Sequence, residues 1–222
     1  MSNFTLVIGN RNYSSWSLRG WLACRLAGVD FVERLIPLDR PETAAALQAA
    51  SPAARVPVLI HDDRVIWDSL AIAEYLHEIR PDAAMWPEAP AARAMARSLT
   101  AEMHSSYMGI RNRCPMDIRS QIDPIQPPPE VLSDLARLEL AWRGARTASN
   151  AAGPYLFGRW TVADVFFAPV ASRCRTYGLP LSPDAAAYRD AVLAHPDMQA
   201  WSEMAKAESW RIPHEDASEQ SF

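Results

Sequence analysis

The sequence predicts an α/β unit built on a four-stranded mixed sheet, followed by an all-α unit. Three observations carry this. Strand and helix signals alternate through the first 80 of the 222 residues, strand signals nearly vanish after Pro90, and the stretch between holds Pro81, Pro87 and Pro90, as a linker would. The expected division is therefore 1–80, a linker at 81–90, and 91–222.

The elements follow in order. Phe4-Thr5-Leu6-Val7-Ile8 is a short β-rich run closed by Gly9. Ser14, Ser15 and Ser17 offer N-caps for a helix that runs to Ala27 and stops at Gly28. Phe31 to Leu38 reads as a second strand ended by Pro37 and the turn Asp39-Arg40-Pro41, and an Ala-rich helix follows to about Ala50. Val56 to Ile60 and Arg64 to Trp67, joined by His61-Asp62-Asp63, describe a hairpin. Asp68-Ser69 caps a helix on which Leu70, Ala73, Leu76 and Ile79 recur at helical spacing. A βαβ unit joined through a helix to ββα makes one mixed sheet with helices packed on it, which is the thioredoxin-like plan. Beyond the linker, Ala91 to Cys114 reads as one long helix stopped by Pro115, and Glu130 to Ala148 as a second. Thr161-Val162-Ala163-Asp164 is a capping box that opens an apolar helix, Ser182-Pro183 opens another, and Met198, Trp201, Met204 and Ala205 stripe the last.

Composition narrows the function classes. Lys plus Arg is 22 and Asp plus Glu is 26, a net charge of −4, so no basic excess favours nucleic acid or an anionic membrane. Three cysteines without a C-x-x-C give neither a disulfide framework nor a Cys-rich zinc site, and the five histidines form no metal spacing. Cys24, Cys114 and Cys174 read as small buried apolar residues. With no signal-peptide pattern and no run of 18 apolar residues, the expectation is a cytoplasmic protein that needs no metal.

The chemistry centres on the turn between the first strand and first helix. There a helix N-terminus presents free N–H groups and a positive dipole end, which stabilise a thiolate. Here the turn reads Tyr13-Ser14-Ser15-Trp16-Ser17 and contains no thiol, so its hydroxyls assist only a sulfur brought in from outside.

At this point the chain resembles the glutathione transferases. Ser14-Ser15-Trp16-Ser17-Leu18-Arg19 resembles the S-S-C-S-x-R motif of the zeta class. Arg55-Val56-Pro57-Val58-Leu59 resembles the V-P-x-L segment, and Asp68-Ser69-Leu70-Ala71-Ile72 with Glu74-Tyr75-Leu76 resembles the E/Q-S-x-A-I...E-Y-L signature. The Thr161–Asp164 box with Pro169, and His195-Pro196 followed by Trp201, resemble the family's second half. The ordered set, rather than any one motif, carries the resemblance.

The resemblance implies glutathione as co-substrate, a small electrophile as partner, and a homodimer. It implies that Ser14 or Ser15 bonds the thiol, with Ser14 the closer match, and that Trp16 flanks it. It implies a cis Val56–Pro57 bond whose backbone pairs with the tripeptide, and Asp68-Ser69 at the γ-glutamyl end; Arg40 and Arg55 are candidates for the glycine carboxylate. The acceptor pocket would be lined from Trp16, His104, Tyr107, Met108 and Arg111. The implied activity is conjugation of the glutathione thiolate to small electrophiles, with Trp16 in place of the zeta cysteine weighing against zeta-type maleylacetoacetate isomerisation. Glutathione-dependent isomerisation, peroxide reduction, and a non-catalytic binding role stand as alternatives.

Overall fold

Phe4–Ile8 forms β1 at the centre of a sheet ordered β2-β1-β3-β4, in a computed structural model that describes residues 3–150 and 152–220. Helix α1 (Ser15–Leu26) links β1 to β2 (Phe31–Leu35), which pairs parallel to it with Leu6 opposite Glu33. After α2 (Thr43–Ala50) come the antiparallel β3 (Val58–His61) and β4 (Arg64–Trp67), and then α3 (Ser69–Ile79). Alternation along β1 decides the two faces. Leu6 and Ile8 join Leu59, Leu18, Leu22, Ile72 and Leu76 under α1 and α3, whereas Val7 joins Val58, Ile36 and Ala50 on the side of α2. The second strand is shorter than the sequence suggests, although the Ile36 N–H still donates to the Ile8 carbonyl before Pro37 ends the ladder.

The remainder is helical: α4 (Pro90–Ser105), α5 (Met108–Arg113), α6 (Pro129–Ser149), α7 (Val162–Thr176), α8 (Pro183–Leu193) and α9 (Pro196–Ala207), followed by short 3-10 turns at Pro213–Glu215 and Ala217–Glu219. Buried along nearly its whole length, α7 packs against both α1 and α4. The stretch read as a linker is packed rather than free: Met85 and Trp86 are buried, and their carbonyls accept from Val162 N–H and Arg159. Among the described residues no helix is long and apolar enough to cross a membrane.

One expected element is corrected. The single helix over Ala91 to Cys114 is broken at Ser106 and Tyr107, where Tyr107 adopts φ 63°. Tertiary contacts compensate the break. The Tyr107 ring is buried and its hydroxyl donates to Glu102 at 3.0 Å. Arg111 donates to the carbonyls of Met103, His104 and Ser106, closing the end of α4. Asp134 accepts the freed Ile110 N–H at 2.9 Å.

Candidate functional site

The start of α1 lies beneath a cleft between the sheet and the helices. Ser14 is its N-cap: the Ser14 hydroxyl accepts from Ser17 N–H at 3.2 Å and donates to Ser17 Oγ at 2.8 Å. Ser17 Oγ also accepts from Gly9 N–H, so these hydroxyls lock the turn to the end of β1. Ser15 differs. Among the described residues its oxygen meets only Arg173, at 3.5 Å, which leaves the hydroxyl proton uncommitted there. The sequence favoured Ser14 as the hydroxyl facing an incoming sulfur; the geometry leaves Ser15 the freer donor, because capping α1 occupies Ser14.

Two adjoining cavities meet at Trp16 and His104, which line both. The first, about 580 Å³, is bounded by Ser14, Ser15, Met108, Arg111 and Arg173, with Ile212, His214 and Glu215 closing it from the C-terminal segment. The second, about 550 Å³, contains Arg55, Val56, Pro57, Asp68 and Ser69. A still larger cavity, about 670 Å³ between α6 and α8, touches none of the candidate site residues read from the sequence.

In the second cavity Val56–Pro57 is cis, as the resemblance implied. Gly20 explains how Pro57 comes so close to α1, since a Cβ there would lie 2.8 Å from the proline ring. Gly20→Ala is expected to cost about 1–3 kcal/mol by overpacking, read as a lower midpoint in thermal unfolding; an unchanged midpoint would mean that the loop yields freely. Ser69 is fully buried, and its hydroxyl has no partner among the described residues. That orphan marks a place where a ligand oxygen would be held. Asp68, at φ 72°, is already engaged: one oxygen accepts from Leu70 N–H at 2.8 Å to cap α3, and the other lies 3.2 Å from His104 Nε2.

The first cavity is cationic on one wall. Arg173 is buried, donates from Nε to the Cys114 carbonyl at 2.7 Å, and keeps one terminal nitrogen unpartnered. Burial, reinforced by Arg111, lowers its pKa to about 10. His104 is lowered too, chiefly by burial, with Asp68 opposing and Arg19 and Arg111 adding to the effect. Glu215 on the facing wall is raised by burial, against the pull of His214 and Arg173. The three cysteines are buried, and desolvation raises every thiol, Cys114 and Cys174 to about 12, so none is a ready nucleophile.

Not every residue picked from sequence arrives here. Arg40 is exposed and lines neither cavity; its N–H donates to Thr43 Oγ1. Tyr107 points into the core, as described above. Two arginines not among those candidates also lie outside the site: Arg113 turns outward to Glu130 at 2.8 Å, and Arg175 donates to the Ile118 carbonyl. Sequence reading missed the C-terminal wall altogether. Residues 208–220 are tied to the β1–α1 loop through Glu208, which accepts from Arg11 N–H, and through Asp216, which accepts from the Tyr13 hydroxyl. Arg119 binds the Tyr13 hydroxyl and the carbonyls of Glu208 and Trp210.

Comparison with known proteins bears on the family and the fold. Residues 13–79 match the family model described as the glutathione S-transferase N-terminal domain. The chain is 27% identical over 183 residues to the rat maleylacetoacetate isomerase, covering 78% of this chain and 79% of that one. It is 37% identical over 112 residues to a probable maleylacetoacetate isomerase of Caenorhabditis elegans, about half of either chain (50% and 52%). Among solved structures, a Burkholderia glutathione transferase homolog with bound glutathione superposes with a TM-score of 0.66 at 26% identity, covering 93% of this chain and all (100%) of that one. A bacterial zeta-class maleyl pyruvate isomerase shares the fold, with a TM-score of 0.73 at 23% identity and coverage of 93% and 100%.

Proposed function

We propose, proceeding from the glutathione S-transferase family to which this chain belongs through residues 13–79, that it is a glutathione-dependent enzyme acting on a small anionic electrophile. One observation carries the reading: an uncommitted hydroxyl at a helix N-terminus lies beside a cleft that holds a serine hydroxyl on one side and an arginine nitrogen, Nη1 of Arg173, on the other, both without a partner among the described residues.

In this reading the tripeptide occupies the cavity of Val56, Pro57 and Ser69. Ser69 donates to the γ-glutamyl carboxylate at the start of α3, the Val56 backbone pairs with the cysteinyl residue, and Arg55 attends the glycine end. The sulfur reaches past Trp16 to Ser15. A glutathione thiol has a pKa of about 8.5, and a hydroxyl bond plus the helix N-terminus favours its ionised form. The acceptor takes the neighbouring cavity with its carboxylate toward Arg173 and Arg111.

The names of the relatives favour glutathione-dependent cis–trans isomerisation over conjugation. Both begin with the same step. The thiolate forms an S–C bond to an electron-poor alkene carbon, and the electron pair moves onto the conjugated carbonyl. Rotation followed by loss of the thiolate gives the isomer and returns glutathione; protonation gives the conjugate. Conjugation stays the second reading because Trp16 occupies the place of the zeta cysteine.

The test has two stages. Titration calorimetry with glutathione is expected to show one site per chain, and absence of binding overturns both readings. Maleylacetoacetate is then supplied in excess over glutathione. Isomerisation converts more substrate than there is glutathione, whereas conjugation stops when the thiol is consumed.

A further inference from the structure

Arg19 is fully buried, and among the described residues its side chain makes one hydrogen bond, from Nε to the Phe166 carbonyl at 3.2 Å. Both terminal nitrogens are buried without a partner among the described residues. Its guanidinium carbon lies 4.7 Å from the centre of the Trp16 ring and 5.2 Å from that of Phe166. Arg111 packs against the same indole at 5.0 Å, and its hydrogen bonds go to uncharged carbonyls. Two cations therefore converge on one aromatic ring, and among the described residues no carboxylate hydrogen-bonds to either. Removing a charge from water without a counter-ion is costly, and packing on an indole recovers only part of that cost. A site arranged so has an anion still to receive.

We propose that Arg19 and Arg111, stacked on Trp16, form a cationic wedge that supplies most of the charge holding the bound glutathione sulfur as a thiolate. This rests on the glutathione reading above and goes beyond it by assigning ionisation to arginines rather than chiefly to the serine. Arg19 stands one helical turn after Ser15, and a long helical side chain leans back toward the N-terminus; its guanidinium borders neither cavity but packs on Trp16, which lines both. The surroundings are counted on every packed element. Ser15 and Arg19 come from α1, His104 from α4, Arg111 from α5, Asp134, which acts on Arg111 and accepts from Ile110 N–H, from α6, and Arg173 from α7; Asp68, Asp39, His214 and Glu215 come from the intervening loops and the C-terminal segment. Of the acids, Asp68 is committed to His104 and the α3 cap, and Asp39 lies 3.9 Å from His214. Burial pushes the Arg19 pKa well down, with Arg111 and Arg173 adding to the effect and Asp68 opposing it. On ionisation the thiol proton leaves to solvent and the wedge keeps its charge.

The experiment follows thiolate absorbance against pH at saturating glutathione. Arg19→Met and Arg111→Met are each expected to raise the bound-thiol pKa by about one unit, roughly tenfold less thiolate below that pKa. Arg19→Lys, which keeps the charge, restores most of the shift, and affinity for S-methylglutathione, which has no thiol to ionise, changes little in all three. Should Arg19→Met fail to fold, Arg111→Met, whose side chain reaches the cavity surface, decides. An unchanged bound-thiol pKa in the folded methionine variants overturns the wedge, as does a wild-type complex whose thiol pKa equals that of free glutathione. Failure of the wild type to bind glutathione at all instead overturns the functional reading beneath it.

Discussion

Ser15→Ala is expected to lower kcat/KM by about 100-fold while changing glutathione affinity by less than about threefold, the pattern for loss of a donor to developing or resident negative charge. Ser15 lines the acceptor cavity, is nearly enclosed, and shares its oxygen only with the long contact from Arg173. Among the described residues its proton has no recorded acceptor, and unlike Ser14 and Ser17 it takes no part in locking the turn. The acid limb of the pH profile should move upward by about one unit, because less of the bound thiol is ionised at a given pH. Ser14→Ala tests the contrast. Its hydroxyl closes the first turn of α1 through Ser17, so the expected cost is about 1 kcal/mol of stability with a smaller loss of turnover. If Ser14→Ala proved the more damaging to kcat, the assignment favoured by motif alignment would be restored.

That reversal shows what a sequence makes legible. Strand β1, the serine cap of α1, the hairpin and the capping box are written in local chemistry: β-rich runs, cap residues and turn residues at fixed offsets. The break at Tyr107 carries no such mark, since neither Ser106 nor Tyr107 is a helix breaker by type. It is stabilised by Arg111 and by Asp134, 24 residues from the N–H it binds. The C-terminal wall is hidden for a similar reason. His214 and Glu215 follow no periodicity and reach the cleft only because Asp216 meets Tyr13 across 203 residues. Arg19 was visible as a letter of the motif, but its isolation became visible only once Trp16, Phe166 and Arg111 were assembled around it. Asp68 is the converse: its position was read correctly, yet its carboxylate caps α3 and faces His104, so binding a ligand ammonium would be shared work.

Asp164→Ala is expected to be the most destabilising single change, with a loss of about 4 kcal/mol and a fall in melting midpoint of about 10 °C, most of the stability if the total lies at the low end of the usual range. Asp164 is fully buried and accepts four hydrogen bonds: from Leu156 N–H at 3.1 Å, Thr161 N–H at 2.9 Å, Thr161 Oγ1 at 3.0 Å and the Tyr188 hydroxyl at 3.0 Å. Alanine would orphan all four donors inside the core at the start of α7, the helix that carries Arg173 and Phe166 to the cleft, so loss of stability and loss of activity should travel together. The same carboxylate gives a pH signature. Burial raises its pKa from 3.8 to about 6, although its hydrogen bonds pull the other way. Because the folded value lies above the unfolded one, folding favours the protonated form. That contribution is fully present below the unfolded pKa of about 3.9 and is lost as pH rises through about 6. Asp164→Asn does not titrate there. Denaturant unfolding of wild type and Asp164→Asn, measured side by side between about pH 4 and about pH 7, should therefore show the stability gap narrowing by about 2–3 kcal/mol as pH rises. A gap that widened instead would mean that the four hydrogen bonds outweigh desolvation, and that the carboxylate sits in α7's cap as a stabilised anion.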